Sequence, residues 1–247
     1  MTFNQCSPPS LTVKPAGMVD HLSSAQWEML VPLLSVQVEY AAGDVISHRG
    51  DLLDHSLLLL DGLVARSVPH GRGMRSTVVA LQFPGEFVDL HAFPLKQLDH
   101  DVVSLTATRV AKICHNALQD LLNGNVELAR KLWLMTLVDA SIHRHWVMRN
   151  SAMRALARVA NFFCEYDARM TAAFAAERDI LPFTLKQADI ADATGLTSVH
   201  VSRTLRDLRE HGCCTVAGGK LTIHDRKGLF KIGNFDAAYL YMPDTAR

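Results

Sequence analysis

Lys186-Gln187-Ala188-Asp189-Ile190-Ala191-Asp192-Ala193-Thr194-Gly195-Leu196-Thr197-Ser198-Val199-His200-Val201-Ser202-Arg203-Thr204-Leu205 reads as two short helices joined by a tight turn. Ile190 and Ala191 fall on the inner face of the first helix, and Ala191 is small where a second helix must approach. Gly195 supplies a left-handed residue that a bulkier side chain would resist. Leu196, Val201 and Leu205 return the second helix to the same small core. The spacing is that of a helix-turn-helix, so the outward-facing residues between Thr197 and Arg206 are expected in a DNA major groove.

The flanking residues extend this unit. Past Arg209, His211-Gly212-Cys213-Cys214-Thr215-Val216-Ala217-Gly218-Gly219-Lys220-Leu221-Thr222-Ile223 reads as two short strands about a Gly-Gly turn, a wing directly after the recognition helix. Upstream, Leu156, Val159, Phe162 and Phe163 mark a helix that continues toward Met170. Thr184 stands where it would cap the helix holding Ala188 and Ala193. Formal net charge is zero, yet residues 186–231 carry eight Lys and Arg against five acidic residues, a bias that suits a nucleic acid. Residues 151–247 are therefore expected to form a winged helix-turn-helix DNA-binding domain ending in a short amphipathic tail.

The front half has a different texture. A length of 247 residues with a 49% hydrophobic share predicts two domains with ample cores. Residues 1–16, with Pro8, Pro9 and Pro15, are expected to be a flexible N-terminal arm. Leu22, Trp27, Leu30 and Leu34 then recur at helical spacing behind Ser23 and Ser24. Short apolar or alternating runs at 37–40, 56–60, 64–68, 77–83, 102–106 and 109–113 are separated by glycine turns, His70-Gly71-Arg72-Gly73 among them. They predict a β-roll over 17–124, a double-stranded jelly roll. Beyond it Leu128, Leu132, Met135, Ile142 and Trp146 form one stripe along a long helix, interrupted by Asp139. A seam this long beside a small β-domain predicts a dimerisation helix over 125–150, the alternative being a helix packed only on its own domain. The fold class expected is α+β.

Other classes of function find little support. There is no G-x-S-x-G, no phosphate-cradling glycine loop, no H-E-x-x-H and no carboxylate pair in a catalytic context, so no enzyme is expected. Gly71 and Gly73 suit a hairpin turn. Five cysteines (Cys6, Cys114, Cys164, Cys213, Cys214) form no C-x-x-C pair and are expected to be reduced thiols, Cys213 and Cys214 as small core hydrophobes. With no apolar run of membrane length and no signal pattern, a cytoplasmic protein without a membrane partner is expected.

The order of β-roll, long helix and winged helix-turn-helix resembles the Crp/Fnr regulators over about residues 22–229. It rests on Ala42-Gly43-Asp44-Val45-Ile46, Leu60-Asp61-Gly62 and Phe83-Pro84-Gly85-Glu86-Phe87 in front, and on Leu181-Pro182-Phe183-Thr184 with the helix-turn-helix behind. The resemblance implies a homodimeric transcription regulator on a pseudo-palindromic DNA operator, working with RNA polymerase under an unidentified signal. It implies that Arg203 reads a guanine through a fork onto O6 and N7, a phosphate contact being the alternative. Ser198, Val199 and Ser202 take the other base-facing positions, with Thr197 and His200 beside them. Many members carry glutamate where Val199 stands, whereas valine offers only apolar contact, for instance to a thymine methyl. Thr184, Lys186 and Arg206 are candidates for phosphate contact.

The same resemblance puts an effector pocket around Gly85, Glu86, Asp89, His91 and His100. Members that bind cyclic AMP follow their Gly-Glu turn with an Arg-Ser or Arg-Thr pair. Here Leu98-Asp99-His100-Asp101 stands about there, and its aspartates would repel a phosphate, so cyclic AMP is disfavoured. Cys6 stands alone, which disfavours an iron–sulfur cluster. The 12 histidines keep haem or a metal open as alternatives, with His91, His100 and His115 as ligands. His143 and His145, two apart on a helix, point away from each other. A ligand-binding module with vestigial DNA binding is a further alternative.

Overall fold

The structure is a computed structural model that describes residues 14–34, 36–70 and 75–242. A 3-10 turn at Met18–His21 precedes helix α1 (Ser24–Leu30). The Ser23 side chain accepts from the Gln26 N–H, and the Gln26 side chain accepts from the Ser23 N–H, closing a capping box. Strands β1 (Val36–Tyr40), β2 (Val45–Ser47), β3 (His55–Asp61), β4 (Val64–His70) and β5 (Arg75–Gln82) follow. After the single turn α2 (Ala92–Leu95) come β6 (Asp101–Ser104) and β7 (Thr108–Cys114). All pairings are antiparallel, in two sheets ordered β1-β7-β3 and β2-β6-β4-β5. The six expected runs are all strands. β2 was not anticipated, and the expected turn at Gly71 and Gly73 lies outside the described residues.

Leu57, Leu59, Val64, Val102 and Val110 pack in the core of the roll. Leu58, Ala65, Leu81, Ala111 and Ile113 join a second core shared with the helices. The unbroken run Leu57-Leu58-Leu59-Leu60 follows from this, because β3 is covered on both faces.

Three helices lead out of the roll: α3 (His115–Asn123), α4 (Val126–Ala152) and α5 (Ala155–Phe174). At 27 residues α4 is about 40 Å long. One expectation is corrected here. Leu128, Leu132, Met135, Ile142 and Trp146 are each 5% exposed or less, buried in their own chain's core. They cannot meet a second copy. The roll, α5 and the C-terminal tail cover that stripe, and the apolar residues left on α4's surface are Val126, Trp133, Leu137, Val147 and Met148. Asp139, the charge interrupting the stripe, accepts from Arg66 Nη1 of β4 at 2.7 Å.

The C-terminal unit contains β8 (Ile180–Pro182), α6 (Gln187–Thr194), α7 (Ser198–Glu210), β9 (Cys214–Ala217), β10 (Lys220–Ile223) and α8 (Arg226–Gly233). A 3-10 turn at Ala237–Leu240 ends it. β9 and β10 turn at Gly218 and Gly219, both with positive φ, and β8 adds a third strand along β10. Thr184 does not cap α6: Lys186 is the N-cap residue, its N–H donating to Asp189 Oδ2 at 2.7 Å. The arm expected to be flexible is fixed at its described end. Lys14 Nζ donates to the Leu22 carbonyl and pairs with Asp20. The Ala16 carbonyl lies against Gly85, at φ +83°, where any side chain would collide with it. Residues 1–13, Cys6 included, lie outside the described residues.

Candidate nucleic-acid interface

Three features of sequence build the helix-turn-helix. Gly195 ends α6 in the left-handed region at φ 60°, and the Leu196 N–H returns to the Ala191 carbonyl at 2.9 Å. Thr197 caps α7, its hydroxyl accepting from the His200 N–H at 3.3 Å. Ile190, Ala191, Val201 and Leu208 are buried beneath the two helices, with Leu196 and Leu205 half-buried beside them. The turn is tied to the long helices by Asn150 Nδ2 on the Ala193 carbonyl and Arg158 Nη1 on the Thr194 carbonyl.

What the core leaves outside is the expected face. Ser198, Val199, His200, Ser202, Arg203 and Arg206 are all exposed, Val199 at 61%. Arg203 has no hydrogen bond or ion pair among the described residues, whereas Arg206 lies 3.9 Å from Glu210 across one exposed helical turn. A cleft of about 380 Å³ runs between α7 and the wing, lined by Gln187, Ser202, Arg203, Arg206, Arg209 and Thr215 among others. Arg209 and Gln187 were not singled out in the sequence. Arg209 follows Arg203 and Arg206 at steps of three, a spacing that puts all three on neighbouring faces of α7. Lys186 is exposed at the start of α6. Thr184 departs from the group: it lines a cleft against Asp61, Gly62 and Thr106 of the β-roll. Cys213 and Cys214 are buried, and burial pushes the Cys214 thiol up to about 12, which leaves both as packing groups.

Of the expected effector residues, His91 and His100 lie side by side, whereas Glu86 and Asp89 are each taken up by other groups of the protein and Gly85 packs against Ala16. Glu86 accepts from Arg169 Nε at 3.1 Å and Nη2 at 2.6 Å, and from the Phe83 N–H at 3.1 Å. Arg66 donates to the Val88 carbonyl and to Asp139. Burial alone would raise the Asp139 carboxyl, but Arg66 and His143 outweigh it and hold the group low. Asp89 is fully buried with Oδ1 on the Leu57 N–H, and burial pushes its carboxyl up to about 7. The rings of His91 and His100 lie 5.3 Å apart. His115 bonds Ser56 instead, and among the described residues no group of three or more His, Cys, Asp or Glu is arranged to hold a metal ion. His143 pairs with Asp139, and His145 stacks on Tyr239 at 3.7 Å. The space left beside Glu86 is about 30 Å³, room for a water or two.

Residues 37–125 match the cyclic nucleotide-binding domain family, and residues 157–232 the Crp-like helix-turn-helix domain family. The nitrogen fixation regulation protein FixK of Bradyrhizobium diazoefficiens is 23% identical over 78% of this chain and 79% of its own. An anaerobic regulatory protein of Haemophilus influenzae is 22% identical over 92% of this chain and 83% of its own. Among solved structures, FixK2 of Bradyrhizobium japonicum superposes with a TM-score of 0.72 at 23% identity, over 80% of this chain and 96% of that one. A cyclic nucleotide does not fit the residues present. The cavity is too small, the Glu86 carboxylate is taken by Arg169, and Arg66 is spent on Asp139 and the Val88 carbonyl.

Proposed function

We propose that this chain, which belongs to the Crp/Fnr family of transcription regulators, binds double-stranded DNA as a homodimer and reads a pseudo-palindromic operator with α7. The observation that carries the reading is the exposed face of α7, where an unpaired Arg203 stands among Ser198, Val199 and Ser202 while Val201, Thr204 and Leu208 hold the helix from behind. Arg203 forks onto a guanine and Val199 meets a thymine methyl. Lys186, Arg206 and Arg209 hold phosphates, with Thr197 and His200 at the helix start beside the backbone. The two copies join along the surface of α4 that carries Trp133, Leu137 and Val147. The two-fold axis of that dimer imposes the operator's symmetry. In the cytoplasm the DNA-bound dimer works with RNA polymerase, and an unidentified signal sets its activity.

Selection of operators from random double-stranded DNA, with sizing of the recovered complex, tests this. Enrichment of two inverted half-sites about one helical turn apart, each with a guanine, on two protein chains is the expected result. A single half-site held by one chain, or no enrichment over random sequence, overturns it.

A further inference from the structure

Arg169 is rooted on α5 of the DNA-binding half, yet its guanidinium ends in the β-roll, 3% exposed. Nε and Nη2 fork onto the two oxygens of Glu86, and Nη2 also donates to the Leu81 carbonyl at 2.7 Å. The plane of the group lies 4.3 Å over the Phe83 ring. These are the parts of a guanidinium-binding site: two carboxylate oxygens, a carbonyl and an aromatic face, all supplied by a strand end and the Gly85-Glu86 turn. The remaining donor, Nη1, reaches Glu165 at 3.1 Å. Glu165 in turn accepts from Trp146 and Arg149 of α4 and from the Tyr239 hydroxyl of the tail. One buried network thus spans roll, long helix, the first helix of the DNA-binding half and the C-terminal turn.

We propose that Arg169 is an internal ligand: the sensor pocket of this β-roll recognises a planar guanidinium, and the one that fills it belongs to the DNA-binding domain. Coupling between the two halves then needs no small molecule, and an exogenous compound that acts on the pocket must carry a guanidinium or amidinium to compete. A buried ion pair adds little net stability over apolar packing of the same shape, so the arrangement fixes the docking position of α5 on the roll.

Chemical rescue tests it. Arg169→Ala empties the slot, and ethylguanidinium at millimolar concentration is the probe, with ethylammonium, which lacks the planar fork, as control. The wild-type chain is expected to unfold in one thermal transition. Arg169→Ala is expected to unfold in two and to lose about ten-fold in operator affinity, with ethylguanidinium alone restoring both. One transition with wild-type affinity in the variant, or equal effects of the two cations, overturns the proposal. Should Arg169→Ala fail to fold, Glu86→Gln keeps the shape and removes the charge. Two transitions there support the proposal, and an unchanged single one overturns it. The affinity readout rests on the reading as a DNA-binding regulator, whereas the count of transitions does not. Rescue of unfolding without any operator binding would sink that reading alone.

Discussion

Arg203 and Arg206 stand within one turn of α7, yet their surroundings give them different work. Arg203 is unpaired and sits near the helix start, where side chains meet base edges. Arg206 is already turned toward Glu210 and lines the wing cleft one turn further along the helix. Replacing Arg203 by Ala is expected to cost about 1–3 kcal/mol on the operator and to relax discrimination at one base pair. Arg206→Ala is expected to weaken all sequences alike and to lower the salt slope of binding by about one. Titrations at several salt concentrations, with the operator and with its guanine replaced, separate the two; a uniform loss for Arg203→Ala would make that residue a phosphate contact. Much of this face was legible because local rules write it: the left-handed Gly195 and the return of Val201 both act within a few residues, although the cap falls at Thr197, a residue expected only in the groove. The contribution of Arg209 was not, since its neighbours Thr215 and Val216 arrive from the wing.

At the scale of the element, α4 carries two heptad seams. The one visible first in the sequence, through Leu128, Leu132 and Met135, is spent on the chain's own core. The other runs Val126, Trp133, Ala140, Val147 at one heptad position and Arg130, Leu137, Arg144 at the next, and is open to a second helix. Leu137→Glu is therefore expected to give a folded monomer, and Leu132→Ala a dimer destabilised by about 2–5 kcal/mol. Analytical ultracentrifugation with thermal unfolding distinguishes them, and a dimeric Leu137→Glu would place the interface elsewhere. Periodicity showed one apolar stripe, but whether a second copy or the chain itself covers it depends on α5 and the tail folding back. The same limit hid the three-residue strands β2 and β8, whose pairing partners lie far along the chain. It also hid the Glu86–Arg169 fork, which joins residues 83 apart.

For the whole molecule, buried titratable groups decide how stability follows pH. Burial holds His91 and His115 down to about 4, below the ordinary 6.5 of an imidazole, with Arg66 acting further on His91 and Lys96 on His115. The unfolded chain therefore binds more protons at these sites between pH 6.5 and about 4. Their neutral, buried form stabilises the fold above that window and ceases to as pH falls through it. Asp89 works in the opposite sense. Its folded carboxyl titrates near 7 against 3.8 for the free group, so the folded chain holds the extra proton and stability falls as pH rises from about 4 to 7. His21, His100 and His145 are held down by burial as well, so acidification through this window costs stability at the histidines, and Asp89 offsets part of that loss. Asp89→Asn keeps the acceptor for the Leu57 N–H and removes the opposing group. The variant is expected to match the wild type near pH 4, to gain on it steadily up to pH 7 and to show the steeper acid loss. Urea unfolding across that range measures both slopes. Parallel curves for the two proteins would mean that Asp89 stays ionised inside the roll, with Arg66 compensating the charge.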